Sequence, residues 1–196
     1  MHKSHLNINQ LIERLNYSMT KKDVLWLANE YVNAKYDIEL LISQACFSDT
    51  SKAFRAAWVL ENILAENPLA LDYYTIKLIE LLPNVKSESV KRHFTKLISH
   101  GISRVVKKKA SKIYERNLWA TDLEPLEEFC FKWFVEDDAK PAVKAHALEI
   151  LFLLSTREKW IADELPQIIE NQIKYGSPSL KAKGKSVLKR LEQQNR

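Results

Sequence analysis

Apolar side chains recur three and four residues apart along most of the chain, and the pattern breaks at proline. Phe54, Trp58, Ile63 and Leu64 form one helical stripe, stopped at Asn67-Pro68; Leu71, Tyr74, Leu78 and Leu82 form a second, which ends at Pro83. Later, Pro141 opens a helix that ends near Arg157, and Leu165, Ile168, Ile169 and Ile173 mark its partner, with Gly176 and Pro178 as stop signals. Leu123–Val135 is apolar on nearly every side after Glu128, which predicts a central helix sandwiched by neighbours. The pattern is therefore helix, short turn, helix. Alternating Val/Ile/Thr runs bounded by tight-turn pairs do not occur, so strands are not expected.

The helix openings resemble one another. Ala53–Glu61 (AFRAAWVLE), Ser89–Leu97 (SVKRHFTKL), Ala142–Ile150 (AVKAHALEI) and Ser179–Leu188 (SLKAKGKSVL) each place a large apolar residue before a basic one: Phe54-Arg55, Val90-Lys91, Val143-Lys144 and Leu180-Lys181. Their spacings are 36, 53 and 37 residues. Two of these suit helix-pair repeats, and the middle one equals that period plus about 16 residues. With RAAWVLE, PAVKAHALEILFLL and SPSLKAKGKSVLKRL as its motifs, the chain resembles the armadillo/HEAT class of α-solenoids over about 51–191, and is similar to small bacterial HEAT-like proteins. That resemblance implies an all-α fold, a right-handed α-α superhelix of HEAT-like helix pairs. The expected division is one domain, 1–196, with capping helices in 1–50, repeats in 51–85, 86–140 and 141–177, and a capping helix in 178–196. Trp26, Leu27, Tyr31, Ile38, Leu41 and Ile42 supply the first cap.

Composition agrees with a single helical domain. Only 3 of 196 residues are glycine and 46% are hydrophobic, enough for a substantial core. The opening MHKSHLNINQLIERL has no continuous apolar run and reads as amphipathic turns, and ALEILFLL (147–154) is too short to cross a bilayer, so export and membrane insertion are not expected. Cys46 and Cys130 sit in apolar helical patterns without CxxC spacing, which suits buried free thiols in a reducing cytoplasm.

Net charge is +5, unevenly spread. Ten Lys/Arg lie between Lys86 and Thr121 against Glu88 and Glu115, and seven lie between Lys174 and Arg196 against Glu192, whereas seven acids in Asp122–Asp138 face Lys132 alone. Basic residues concentrate where the repeat is interrupted, in SRVVKKKASKIYERNLW (103–119). On one reading Arg104, Lys108, Lys112 and Arg116 form an i, i+4 ridge of a separate helix, whose mutual repulsion a phosphate backbone would relieve. The preferred reading follows the unbroken stripe Phe94, Leu97, Ile98, Gly101, Ile102, Val105 and Val106: the helix begun near Glu88 runs to about Lys109, its lysines favoured by the carboxyl-terminal dipole, and 110–121 is a loop.

Catalytic signatures are sparse. With three scattered glycines no phosphate loop forms, and GxSxG is absent. His2 with His5, His93 with His100, and His146 lack a third ligand at metal spacing; no cofactor or metal is expected. Glu61 and Glu149 lie among apolar residues, and ion pairing with Arg55, Arg92 or Lys144 is expected of them in preference to acid/base work. Trp119 with Asp122 and Trp160 with Asp163 loosely resemble the Trp/Asp pairs of HEAT-like alkylpurine DNA glycosylases, but both aspartates read as helix N-caps. The reading that follows is a non-catalytic protein-binding scaffold, contacting its partner through Tyr73, Lys77 and Glu80 or Glu164, Gln167 and Asn171. The alternative is nucleic-acid binding through Arg104, Lys107, Lys108, Lys109, Lys112, Arg116, Lys181 and Lys185.

Overall fold

The computed structural model describes residues 7–47, 50–136 and 139–194, and all regular structure among them is helical. Three helices precede the first repeated opening: α1 (Ile8–Arg14), α2 (Lys21–Asn33) and α3 (Ile38–Phe47). The openings themselves fall on α4 (Thr50–Glu66), α6 (Glu88–Val106), α9 (Pro141–Leu154) and α11 (Pro178–Gln194). Between them lie α5 (Pro68–Leu81), α7 (Lys112–Ala120), α8 (Glu124–Val135) and α10 (Lys159–Tyr175).

Local chemistry sets the boundaries. Asn67 caps α5 by accepting the Ala70 N–H at 3.1 Å, with Pro68 preset for the first turn. Thr20 and Asp23 form a reciprocal capping box on α2. At the end of α6 the Lys109 N–H reaches Arg104 O and the Lys108 N–H reaches Val105 O, a Schellman turn in which Lys108 adopts φ 55°. A side chain in that left-handed position costs about 1 kcal/mol, and the turn it makes stops α6 short of Lys109.

The four opening helices form one row, α4 on α6, α6 on α9 and α9 on α11, while α3, α5, α8 and α10 cover them as a second row. Helix α9 shows why: Val143, Ala147, Leu148 and Ile150 through Leu154 are all buried, so it needs cover from both flanks and from above. The rows approach closely at Gly101 of α6. A β-carbon there would meet Thr75 Cγ2 of α5 at 2.7 Å and overlap its hydroxyl, which itself donates to Leu71 O.

Several expectations change. Segment 110–121 is not a loop, because Ser111 caps a nine-residue helix, α7, that buries Tyr114 and Leu118. The ridge of Arg104, Lys108, Lys112 and Arg116 does not exist either: the Schellman turn separates Arg104 on α6 from Lys112 and Arg116 on α7. Helix α8 is one-sided, burying Leu126, Glu127, Cys130, Trp133 and Phe134 while Glu128, Lys132 and Val135 face solvent. Trp26 is exposed on α2, unlike Leu27 and Tyr31. Asp163 lies inside α10, a turn beyond its start at Lys159, so it caps nothing. Cys130 is buried, whereas Cys46 is only half-buried; burial pushes both thiols up, Cys46 to about 11. His2 and His5, with Asp137 and Asp138 of the acidic block, lie outside the described residues.

The contact at Gly101 is directly testable. Gly101→Ala gains helix propensity of about 1 kcal/mol yet overpacks the α5–α6 crossing, and a net loss of about 1–2 kcal/mol in urea unfolding is expected.

Candidate functional site

The basic segment is partly consumed by the fold. Arg104 grips Asp72 of α5 through Nε–Oδ1 at 2.6 Å and a second nitrogen to Oδ2 at 3.1 Å, and donates to Lys109 O at 2.9 Å. The Asp72 hydrogen bond, against a smaller effect of burial, holds the guanidinium pKa above its ordinary value. Lys112 pairs with Glu115 at 2.8 Å on the exposed side of α7. Lys107, Lys108 and Lys109 are exposed beyond α6, and Arg116 on α7; Lys181 and Lys185 are exposed on α11, with α9 standing between that helix and α6.

The Asp72–Arg104 clamp also seats α7. Asp72 accepts the Ser111 N–H at 3.4 Å, so the start of α7 is tied to α5, and a groove of about 600 Å³ opens between these helices. Leu69 (74% exposed), Tyr73 (75%) and Ile113 (67%) edge an apolar floor, with Glu39, Lys77 and Glu80 beside it. Lys77 bridges to Glu39. Tyr73 packs edge-on to Tyr74 with ring centres 4.9 Å apart. Tyr73, Lys77 and Glu80 are thus brought together in one groove, while Glu164, Gln167 and Asn171 share the exposed face of α10. Sequence reasoning missed Leu69 and Ile113. The cue was present in SKIYERNL, where Ser111 can cap a helix and Tyr114 and Leu118 stand four apart.

A second feature runs across the row of opening helices. Glu61 of α4 meets His93 Nδ1 at 2.5 Å and Lys96 Nζ at 2.6 Å on α6. Glu149 of α9 meets Lys183 at 2.5 Å and takes a two-pronged contact from Arg190 at 2.8 Å, both on α11. Burial alone would raise both carboxyls, but these hydrogen bonds outweigh it and hold each at about 2. Both acids are therefore ion-paired, though with other partners than expected: Arg55 donates to the Leu15 and Asn16 carbonyls, Arg92 is exposed, and Lys144 has a different setting. His146, between the two pairs, is driven down to about 4 by burial and then by Lys96, His100 and Lys183. His93 resembles the histidine of a catalytic dyad, yet its Nε2 is sealed in the core beside Phe54, where no substrate reaches it.

The Trp/Asp pairs are also engaged in packing. Asp122 accepts the Glu124 N–H at 3.1 Å, one residue ahead of the α8 cap; Arg157 stacks on Trp119 at 4.8 Å; and Trp160 packs on Phe131 at 5.4 Å. Beside them Glu127 is raised to about 7, by burial first and then by Glu158, Glu124 and Asp122. No group of three or more His, Cys, Asp or Glu side chains able to hold a metal occurs among the described residues.

Two stacked rows of antiparallel helix pairs, repeated along the chain, define an α-helical repeat solenoid. A family model described as HEAT repeat domain matches residues 11–191, and the chain belongs to that family. No curated protein and no solved structure matches it. No described helix is long and apolar enough to cross a membrane.

The carboxylates give opposite pH slopes. Glu61 and Glu149, lowered in the folded state, stabilise fully above the ordinary value of 4.5 and lose that contribution as pH falls toward 2. Glu149→Gln is expected to cost about 2 kcal/mol in urea unfolding at pH 7, with the difference from the parent shrinking below pH 4.5. Glu127 is raised, so its ionisation opposes folding as pH climbs from 4.5 through about 7. Glu127→Gln is expected to stabilise the protein at pH 8 by on the order of 1 kcal/mol, a gain that disappears near pH 4.

Proposed function

We propose that this chain is a non-catalytic protein-interaction scaffold of the HEAT class, working in a reducing cytoplasm and engaging its partner first at the α5–α7 groove. The observation that carries this reading is the groove itself: Leu69, Tyr73 and Ile113 expose large apolar side chains on one wall-and-floor surface that the solenoid leaves uncovered. Lys77, Glu39 and Glu80 add charge at its edge, the arrangement of an apolar contact with a polar rim. Tyr73 is the natural anchor, since a tyrosine brings a large rigid surface at low entropic cost. The exposed α10 face of Glu164, Gln167 and Asn171 extends the contact for a partner that spans more than one repeat.

A photo-crosslinking residue at position 73, and a second at Lys185 as control, test this in cells of the source organism. Discrete protein adducts from position 73, resistant to nuclease and lost with Ile113→Asp, are expected. Identical adducts from both positions would count against the groove. Nuclease-sensitive adducts, strongest at position 185 and weakened by salt, would transfer support to the nucleic-acid reading through Lys107–Lys109, Arg116, Lys181 and Lys185.

A further inference from the structure

The α5–α7 groove has a direction and a charge, and both bear on the kind of segment it accepts. Leu69, Tyr73, Ile76 and Glu80 line it at spacings of four, three and four residues, so they share one face of α5. At 1.5 Å per residue that stripe is about 16 Å long. Ile113 and Asn117, one turn apart, line the groove from α7. Apolar side chains therefore occupy the beginning and middle of the stripe, and an acid stands at its end.

The other charges of the groove are already engaged. Asp72 holds Arg104 and accepts the Ser111 N–H, while Glu39 and Lys77 bridge each other. Glu80 is exposed and, among the described residues, pairs with no cation. It lies one residue before the end of α5 at Leu81, where the helix dipole is also negative. The groove's unneutralised charge is thus negative and sits at one end.

That placement selects chemistry. A lysine or arginine beside an apolar surface matches it, whereas a phosphate of a lipid headgroup or a nucleic acid is repelled. The fold then selects shape. An extended segment adds to a sheet edge through its backbone, and all regular structure among the described residues is helical, so no such edge is offered. A polyproline segment docks in an aromatic-lined groove, but Tyr73 is the one exposed aromatic among the described residues lining this groove, with Tyr114 only 4% exposed. A helix needs neither. It presents side chains at the same three- and four-residue spacing that α5 presents to it.

We propose that the groove takes an amphipathic helix of a protein partner, about three turns long, whose apolar residues at i, i+3 or i+4 and i+7 lie on Leu69, Tyr73, Ile76 and Ile113 and whose neighbouring lysine or arginine meets Glu80. This rests on the reading of the groove as the site of protein contact, and adds the class of segment bound. Lying between α5 and α7, such a helix makes the kind of helix-on-helix contact from which the two rows are built.

The test displays a library of random peptides about 16 residues long, enough for some four turns, against the immobilised full chain with Tyr73→Ala as counter-target. Enriched peptides are then measured by fluorescence anisotropy and circular dichroism. They are expected to share the apolar pattern with an adjacent Lys or Arg, to gain helix on binding, and to bind at least about tenfold more weakly to Tyr73→Ala or Ile113→Asp. Selection on Glu80→Lys is expected to replace the basic residue of the consensus with Asp or Glu. Groove-dependent peptides that are proline-rich, or that alternate apolar with polar residues, would overturn the helix and leave the groove standing as a contact site. Binding unchanged by both Tyr73→Ala and Ile113→Asp would remove the groove as the contact, and the helix with it. A consensus indifferent to Glu80→Lys, no enrichment over the counter-target, or a Tyr73-dependent dimer of the chain alone in sedimentation, which would assign the groove to a second copy, would each overturn the proposal. All three substituted side chains are exposed, and circular dichroism of each variant checks that it folds.

Discussion

The rest of the structure depends on the stacking of α4, α6, α9 and α11, because a helix such as α9 inside that row cannot be left half covered. In α9 alone, Val143, Ala147, Leu148, Ile150, Leu151, Phe152, Leu153 and Leu154 are buried. At about 1.5–3 kcal/mol for each large side chain, that burial outweighs any single ion pair in the molecule. Gly101 shows how tightly the second row presses in, since even a methyl group would collide with Thr75. The ladder from Glu61 to Arg190 is then a consequence of the stacking: carboxylates carried into the row must find cations on the next helix, and His93, Lys96, Lys183 and Arg190 stand where they are needed.

Much of this was legible from residues three and four apart. The four openings land on four stacked helices, Asn67-Pro68 ends α4 where the stop was read and also caps α5, and Pro141 opens α9 as read. What was not legible depends on partners far away in sequence. Glu61 and His93 are 32 residues apart, and Glu149 and Arg190 are 41 apart. No local spacing links such pairs, so pairing was predictable but its partners were not. Helix α7 was hidden differently: its buried core is only Tyr114 and Leu118, and Lys112, Glu115, Arg116 and Asn117 interrupt its apolar positions enough for it to read as a loop.

The charge pattern resolves in the same way. Among the described residues the basic block does not discharge onto the acidic block that follows it: Arg104 turns back to Asp72 on α5, Lys112 stays on its own helix with Glu115, and Lys91 pairs with Glu88. Arg157 lies over Trp119 beside the acids at the start of α8. Glu127, buried first of all and then crowded by Glu158, Glu124 and Asp122, is held up at about 7. Glu61 and Glu149 are comparably shielded from water but surrounded by cations, and they stay ionised. Neighbouring charge, more than burial, separates these acids.

A repeat protein satisfies its own polar groups by rule, so places where the rule lapses are informative. The lapse here is α7, a helix outside the two-row pattern, and its insertion is what makes a groove beside α5. Burying only Tyr114 and Leu118 is a small apolar return for the backbone that this helix orders. A partner bound in the groove would offset that cost.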